Sequence, residues 1–139
     1  MALDAGSYVF WLNLGDAARR SGSDARAATA YRNALELARA QLAQNPRLGL
    51  PRAYAAYFTA RLGDLARAAD DIAEAMKFSP GDSKVMRRAV LTYEAMGRRD
   101  DALQILARLG PGILGELARH PDLADLSRDV RFRKMLEKR

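Results

Sequence analysis

The stretch that decides the fold is residues 63–80, GDLARAADDIAEAMKFSP, because its glycine, alanines and proline recur elsewhere at fixed intervals. Three pairs stand 34 residues apart: Gly63 and Gly97, Ala68 and Ala102, and Pro46 and Pro80. Three further pairs stand 41 residues apart: Gly22 and Gly63, Ala27 and Ala68, and Ala34 and Ala75. The longer interval adds seven residues, about two helical turns, which lengthen a helix without changing its buried face. The sequence therefore predicts three units, the first with a longer second helix.

Apolar residues within the units follow a helical period and not the alternation of a strand. In the segment Asp24–Gln44 they stand at Ala27, Tyr31, Ala34, Leu35, Ala38 and Leu42. Asn45 and Pro46 then end the helix, because a residue before proline avoids the α region. Pro80 and Gly81 end the next unit, and Asp82 or Ser83 is placed to cap the following helix. We therefore predict an all-α protein.

Helical pairs with a 34-residue period resemble the tetratricopeptide repeat (TPR) family. The residues that carry the resemblance are Trp11, Leu14, Gly15, Ala27, Tyr31 and Ala34 in the first unit; Ala56, Gly63, Ala68, Ala75 and Pro80 in the second; and Ala89, Tyr93, Gly97, Ala102 and Leu106 in the third. The resemblance implies one domain over 1–139, an α-α superhelix (a TPR solenoid) of three helical hairpins. The repeats are expected at about 8–48, 49–82 and 83–110, followed by capping helices over 111–139.

The segment after Gly110 departs from the repeat and has the character of a cap. Two short helices are expected there, and Leu123, Leu126, Phe132 and Leu136 would cover the apolar end of the third hairpin. This end resembles the closing TPR segment of bacterial multidomain regulatory proteins, in which such arrays are appended to a kinase, cyclase or DNA-binding domain. We therefore expect a fragment of a longer, cytoplasmic bacterial protein.

Composition excludes several classes of site. The 139 residues contain no cysteine, so disulfides and cysteine-based zinc sites are excluded. His120 is the only histidine, and a metal site needs several convergent ligands, so neither a metal nor another cofactor is expected. No apolar run approaches the length of a membrane span, and Met1–Gly6 has no signal-peptide pattern.

No catalytic motif has the context that its chemistry requires. Residues 110–115 fit G-x-G-x-x-G, but they follow a helix, whereas dinucleotide binding needs a strand before the turn. We interpret them as the break between repeats and cap. The pairs Asp70-Asp71 and Asp100-Asp101 lie on helices, where adjacent side chains point about 100 degrees apart. We interpret these as solvated surface and expect no enzymatic activity.

The resemblance implies a binding groove lined by the first helix of each hairpin. Its family positions map to Val9, Leu12, Asn13, Asp16, Arg19 and Arg20; to Leu50, Ala53, Tyr54, Tyr57, Ala60 and Arg61; and to Lys84, Arg87, Arg88, Leu91, Glu94 and Ala95. Six are basic and two are acidic, a balance of +4. The groove is thus expected to hold an acidic or extended peptide, as a scaffold for protein binding, through Asn13, Arg19, Arg20, Tyr54, Tyr57, Arg61, Lys84, Arg87 and Arg88. The alternative is that these charges only solvate the surface.

Two other functions remain open. Tyr8, Phe10 and Trp11 form an apolar N-terminal face that predicts self-association into a homo-oligomer. The net charge of +6 is concentrated in the groove and in the tail after Leu126, which keeps non-specific nucleic-acid binding as a competing hypothesis. The basic tail residues are Arg128, Arg131, Arg133, Lys134, Lys138 and Arg139.

Overall fold

The computed structural model describes residues 6–138, and within that range it contains helices and no strands, which confirms the all-α prediction. The helices are α1 (Tyr8–Arg20), α2 (Asp24–Gln44), α3 (Gly49–Arg61), α4 (Leu65–Phe78), α5 (Ser83–Ala95), α6 (Arg99–Leu106), α7 (Pro111–Ala118), a 3-10 turn (Pro121–Leu123), α8 (Ala124–Ser127) and α9 (Val130–Glu137). The predictions made for Met1–Ala5 and for Arg139 lie outside the described residues. The prediction of a long helix over Asp24–Gln44 is confirmed, since α2 has 21 residues and α4 has 14.

One helix was missed. The segment Gly110–Gly115, interpreted above as a break, instead caps and begins α7 at Pro111. Proline suits the first helical position because its fixed φ is already helical and its missing N–H would have no partner there. Leu114 and Leu117 then supply a buried face. The break is therefore confined to the turn around Gly110.

Glycine and aspartate residues lie in the turns between helices, at the positions where the sequence period predicts helix ends. Gly63 and Gly97, at φ 95° and 73°, lie in the left-handed region that disfavours residues with a Cβ. Asp64 and Asp82 cap α4 and α5, because their carboxylates accept hydrogen bonds from the backbone N–H groups of Arg67 and Lys84. These short turns reverse the direction of the chain, so that consecutive helices pack against each other.

Small residues allow the helices to approach closely. Helices α1 and α2, α3 and α4, and α5 and α6 pack as pairs, while α2 packs on α3 and α3 on α5. Eight alanines on these helices have no exposed surface: Ala34, Ala38, Ala53, Ala56, Ala68, Ala75, Ala89 and Ala102. Several of them are the residues whose spacing predicts the repeat, so the period reflects the contacts between helices.

Aromatic rings fill the space between the first two helical pairs. The ring centroids of Tyr8 and Tyr54 are 4.9 Å apart, and those of Tyr31 and Tyr57 are 6.1 Å apart. Phe58 contacts all four rings and is fully buried. This aromatic layer places α1 opposite α3.

The C-terminal helices, called the cap below, pack on the third pair. Leu123, Leu126 and Phe132 have no exposed surface, whereas Leu136 is only partly buried. Helix α9 contacts α6, and the 3-10 turn contacts α5. The turn is thereby held against the face that carries the predicted groove residues. None of the helices within residues 6–138 has the length and apolar character needed to cross a membrane.

Replacing Gly15 by alanine should destabilise the fold. A Cβ there would lie 2.6 Å from Cε1 of Tyr31, closer than packed atoms approach. We expect G15A to lower the free energy of unfolding by about 1–3 kcal/mol, the usual cost of overpacking, measured by urea denaturation. The control is G112A, where an added Cβ meets nothing within 4 Å and should be neutral or stabilising. Equal values for the two variants would contradict the predicted clash.

Candidate functional site

Three of the predicted groove arginines converge on one carboxylate, that of Asp122 in the 3-10 turn. The Nη2 atom of Arg19 lies 2.8 Å from Oδ2. Arg20 donates to both carboxylate oxygens, from Nε at 3.1 Å and from Nη2 at 3.0 Å. The Nη2 atom of Arg61 is 3.8 Å away. We call Arg19, Arg20 and Arg61 the arginine cluster.

The local chain fixes the position of the Asp122 carboxylate. The backbone N–H of Asp122 donates to Nδ1 of His120 at 3.1 Å, while the next residue, Leu123, is buried in the core. Only 7% of the Asp122 side chain is exposed. Burial alone would raise the pKa of Asp122, but hydrogen bonds from Arg20 and Arg19 outweigh it and lower the pKa to about 2. The carboxylate is therefore a firmly held anion.

A second carboxylate, Asp16, connects the arginine cluster to the aromatic layer. The hydroxyls of Tyr31 and Tyr57 both donate to Oδ1 of Asp16, at 2.6 and 2.7 Å. Arg19 and Arg61 in turn donate from Nε to these two hydroxyls, each at 3.1 Å. Burial and the nearby Asp16 raise the pKa of Tyr57, so its hydroxyl stays protonated and acts as a donor.

Five other predicted groove residues line a pocket, which we call the open basic pocket: Leu50, Tyr54, Lys84, Arg87 and Arg88. The guanidinium of Arg88 lies over two rings, 4.6 Å from the centroid of Tyr54 and 4.8 Å from that of Tyr57. Within residues 6–138 no carboxylate lies within ion-pair distance of Arg88 or of the exposed Lys84. Arg87 pairs with Glu116 of α7 at 2.9 Å.

The structure thus divides the predicted groove and adds two acidic residues to it. Asn13 is exposed and does not line the open basic pocket, and Tyr57 is fully buried, so its ring supports Arg88 from below. Asp122 and Glu116 come from the cap and reduce the charge balance of this surface from +4 to +2. Sequence reasoning missed Asp122, although Pro121 and Asp122 were a visible signal of a turn just before the basic tail.

The predicted self-association face is smaller than expected. Tyr8 is buried against Tyr54 and Phe58 and is not on the surface, because the aromatic layer draws it inward. Phe10 and Trp11 are half-buried and contact each other edge to face. An apolar cleft between α1 and α2 lies beside them, lined by Trp11, Leu14, Ala17, Ala18 and Ala30 among others.

The basic tail is partly neutralised within the cap. Arg128 pairs with Asp125, and Arg131 pairs with both Asp129 and Asp100. Arg133, Lys134 and Lys138 are exposed. Across the part of the chain that the structure describes, no cluster of histidine, aspartate or glutamate is arranged to hold a metal ion.

Replacing Asp122 by asparagine should change the dependence of stability on pH. The folded pKa of Asp122 lies below its ordinary value of 3.8, so its stabilisation is present above about pH 4 and is lost as the pH falls toward 2. We expect D122N to be less stable than wild type by about 1–3 kcal/mol near neutral pH. The difference should shrink between about pH 4 and pH 2, as measured by urea denaturation.

The matched control is D125N, since Asp125 lies in the same cap with 82% of its side chain exposed. Asp129 also titrates in this range, and the comparison between variants removes its contribution. A difference in stability between D122N and wild type that does not change with pH would contradict a lowered pKa of Asp122 in the folded protein.

Comparison with known proteins adds no family to these observations. No protein-family model matches the chain, and no curated protein is significantly similar to it in sequence.

Proposed function

We propose that this chain is a non-catalytic protein-interaction module built of TPR-type hairpins, and that it binds an acidic, extended segment of another protein at the open basic pocket. The observation that carries the proposal is Arg88, whose guanidinium is stacked on Tyr54 and Tyr57 and meets no carboxylate partner within residues 6–138. The paired helices, the left-handed glycines and the buried alanines at the repeat positions support the assignment to TPR-type hairpins.

The chemistry of the pocket favours an acidic ligand. Stacking on two rings fixes the plane of the Arg88 guanidinium, and a fixed guanidinium binds a carboxylate with less loss of side-chain entropy. Among the residues that the structure describes, none accepts a hydrogen bond from the buried Nε atoms of Arg87 and Arg88. The ion pair with Glu116 holds Arg87, and stacking on Tyr54 and Tyr57 holds Arg88. Lys84 and Arg87 add positive charge at the rim, and Leu50 and Tyr54 offer apolar contact. A segment with glutamate or aspartate next to an apolar residue fits all of these groups.

Reversing two charges at the rim of the open basic pocket should weaken such binding. The probe is a fluorescein-labelled peptide of glutamate and leucine, titrated with protein and followed by fluorescence anisotropy. We expect K84E/R87E to weaken binding by at least about tenfold, since charge-assisted hydrogen bonds contribute about 1.5–3 kcal/mol. Binding should also weaken as salt is raised.

The matched control is R32E/K77E, which makes the same charge change at exposed positions of α2 and α4 outside the pocket. Equal weakening by both double variants would show that net charge alone attracts the peptide. Absence of binding by the wild type would remove the proposal.

Self-association is a second candidate, favoured by exposure at equivalent repeat positions. Leu14 is 46% exposed, whereas its counterparts Ala55 and Ala89 are 3% and 0% exposed. Ala17 is exposed as well, while its counterparts Phe58 and Thr92 are fully buried. In the later hairpins, helix packing therefore buries the positions equivalent to Leu14 and Ala17. In the first hairpin the same face stays exposed. A second copy of the chain could cover the cleft beside Leu14.

A polar substitution at Leu14 should suppress that association. We expect the wild-type mass measured by light scattering to rise with concentration, and L14E to remain monomeric because a buried carboxylate opposes the contact. The control is L65E, at a leucine of α4 that is 45% exposed and does not line the cleft. A wild type that stays monomeric, or an equal effect of L65E, would rule out this interface.

A further inference from the structure

The arginine cluster and the open basic pocket share the ring of Tyr57. The guanidinium carbon of Arg61 lies 5.2 Å from the ring centroid, and that of Arg88 lies 4.8 Å from the same point. The two guanidinium carbons are therefore no more than about 10 Å apart. One ligand can reach both groups.

This separation selects a particular spacing of acidic residues. In an extended chain, side chains at positions i and i+2 project from the same face about 7 Å apart, while adjacent side chains project from opposite faces. Flexible glutamate or aspartate side chains cover the remaining distance to the two guanidinium groups. Carboxylates at alternate positions are thus suited to contact Arg61 and Arg88 together.

The cap already places its own carboxylates on this surface. Asp122 accepts hydrogen bonds from Arg19 and from both donors of the Arg20 fork, which is the geometry by which arginine recognises a bound carboxylate. Glu116 contacts Arg87 in the open basic pocket, but 55% of its side chain is exposed. An exposed ion pair is weak, so Glu116 yields to a competing ligand more easily than Asp122 does.

We infer that the arginine cluster and the open basic pocket are two halves of one carboxylate-binding site for an extended segment with acidic residues at alternate positions, and that Asp122 fills the inner half in cis. The inference rests on the proposed function. Beyond that function, it specifies the spacing of the acidic residues in the ligand. It also identifies Asp122 as an internal competitor that lowers the affinity for the ligand. The open basic pocket is the outer half, and a partner binds there by displacing Glu116. The arginine cluster is the inner half, and a partner binds there only when Asp122 is displaced or neutralised.

The test uses two labelled serine-glycine peptides of identical composition, one with two glutamates at alternate positions and one with the two glutamates adjacent. Wild type is expected to bind both alike, through the outer half. D122N should bind the alternate peptide about tenfold more tightly than wild type does, with little change for the adjacent peptide, because one more charge-assisted contact becomes available. The control is E137Q, at an exposed position of the same cap that lines neither half of the site, and it should leave both affinities unchanged.

The outcomes separate this inference from the proposed function. If K84E/R87E abolishes binding but D122N brings no gain, or equal gains for both peptides, the inference is overturned and the proposed function stands. If neither wild type nor D122N binds either peptide, both fail. Circular dichroism checks that D122N folds. If D122N does not fold, the same titration is made with E116Q, a change at an exposed position. An unchanged affinity of E116Q for the alternate peptide would contradict the inference that carboxylates of the cap compete with the ligand.

Discussion

The Asp16 carboxylate is the junction on which the arrangement of this molecule depends. It lies on α1 and accepts hydrogen bonds from Tyr31 of α2 and Tyr57 of α3, so that one anion joins three helices. A half-buried anion is tolerated there because donors surround it, and Arg19 adds an ion pair at 3.6 Å. The two tyrosines orient Arg19 and Arg61, which in turn hold Asp122 of the cap. Core packing and surface charge thus belong to one connected set of contacts.

The helices could be predicted from sequence wherever periodicity and turn residues agree. Asp24–Gln44 has a continuous apolar stripe ended by Asn45 and Pro46, and its observed bounds match those of the predicted helix. Helix α7 was missed because three glycines and a proline weigh against a helix in local propensity. Burial of Leu114 and Leu117 against the rest of the cap outweighs that preference, and such tertiary contacts leave little trace in a single sequence.

The site could be predicted only on the side supplied by the repeat. The groove positions implied by the TPR resemblance identify six basic residues of α1, α3 and α5, and all six line the open basic pocket or surround Asp122. Asp122 is 103 residues from Arg19 in sequence, and no periodic relation connects the two. Tyr8 was expected on the surface because its helix was considered alone, whereas Tyr54 and Phe58 of α3 bury it. The sequence pattern could not predict contacts with charges and rings from distant segments of the chain.

The long separation between Arg19 and Asp122 also orders the events of folding. Contacts within each helical pair are local and form quickly, whereas closure between residues so far apart comes late because of its larger loop entropy. During synthesis, the helical pairs emerge before the cap, and the arginine cluster then lacks the Asp122 carboxylate and keeps only Asp16 of α1. The nascent chain is at that stage more basic on this surface, and its third pair still exposes the apolar face that Leu123, Leu126 and Phe132 later cover. Docking of the C-terminal helices therefore both covers that apolar face and lowers the positive charge of this surface.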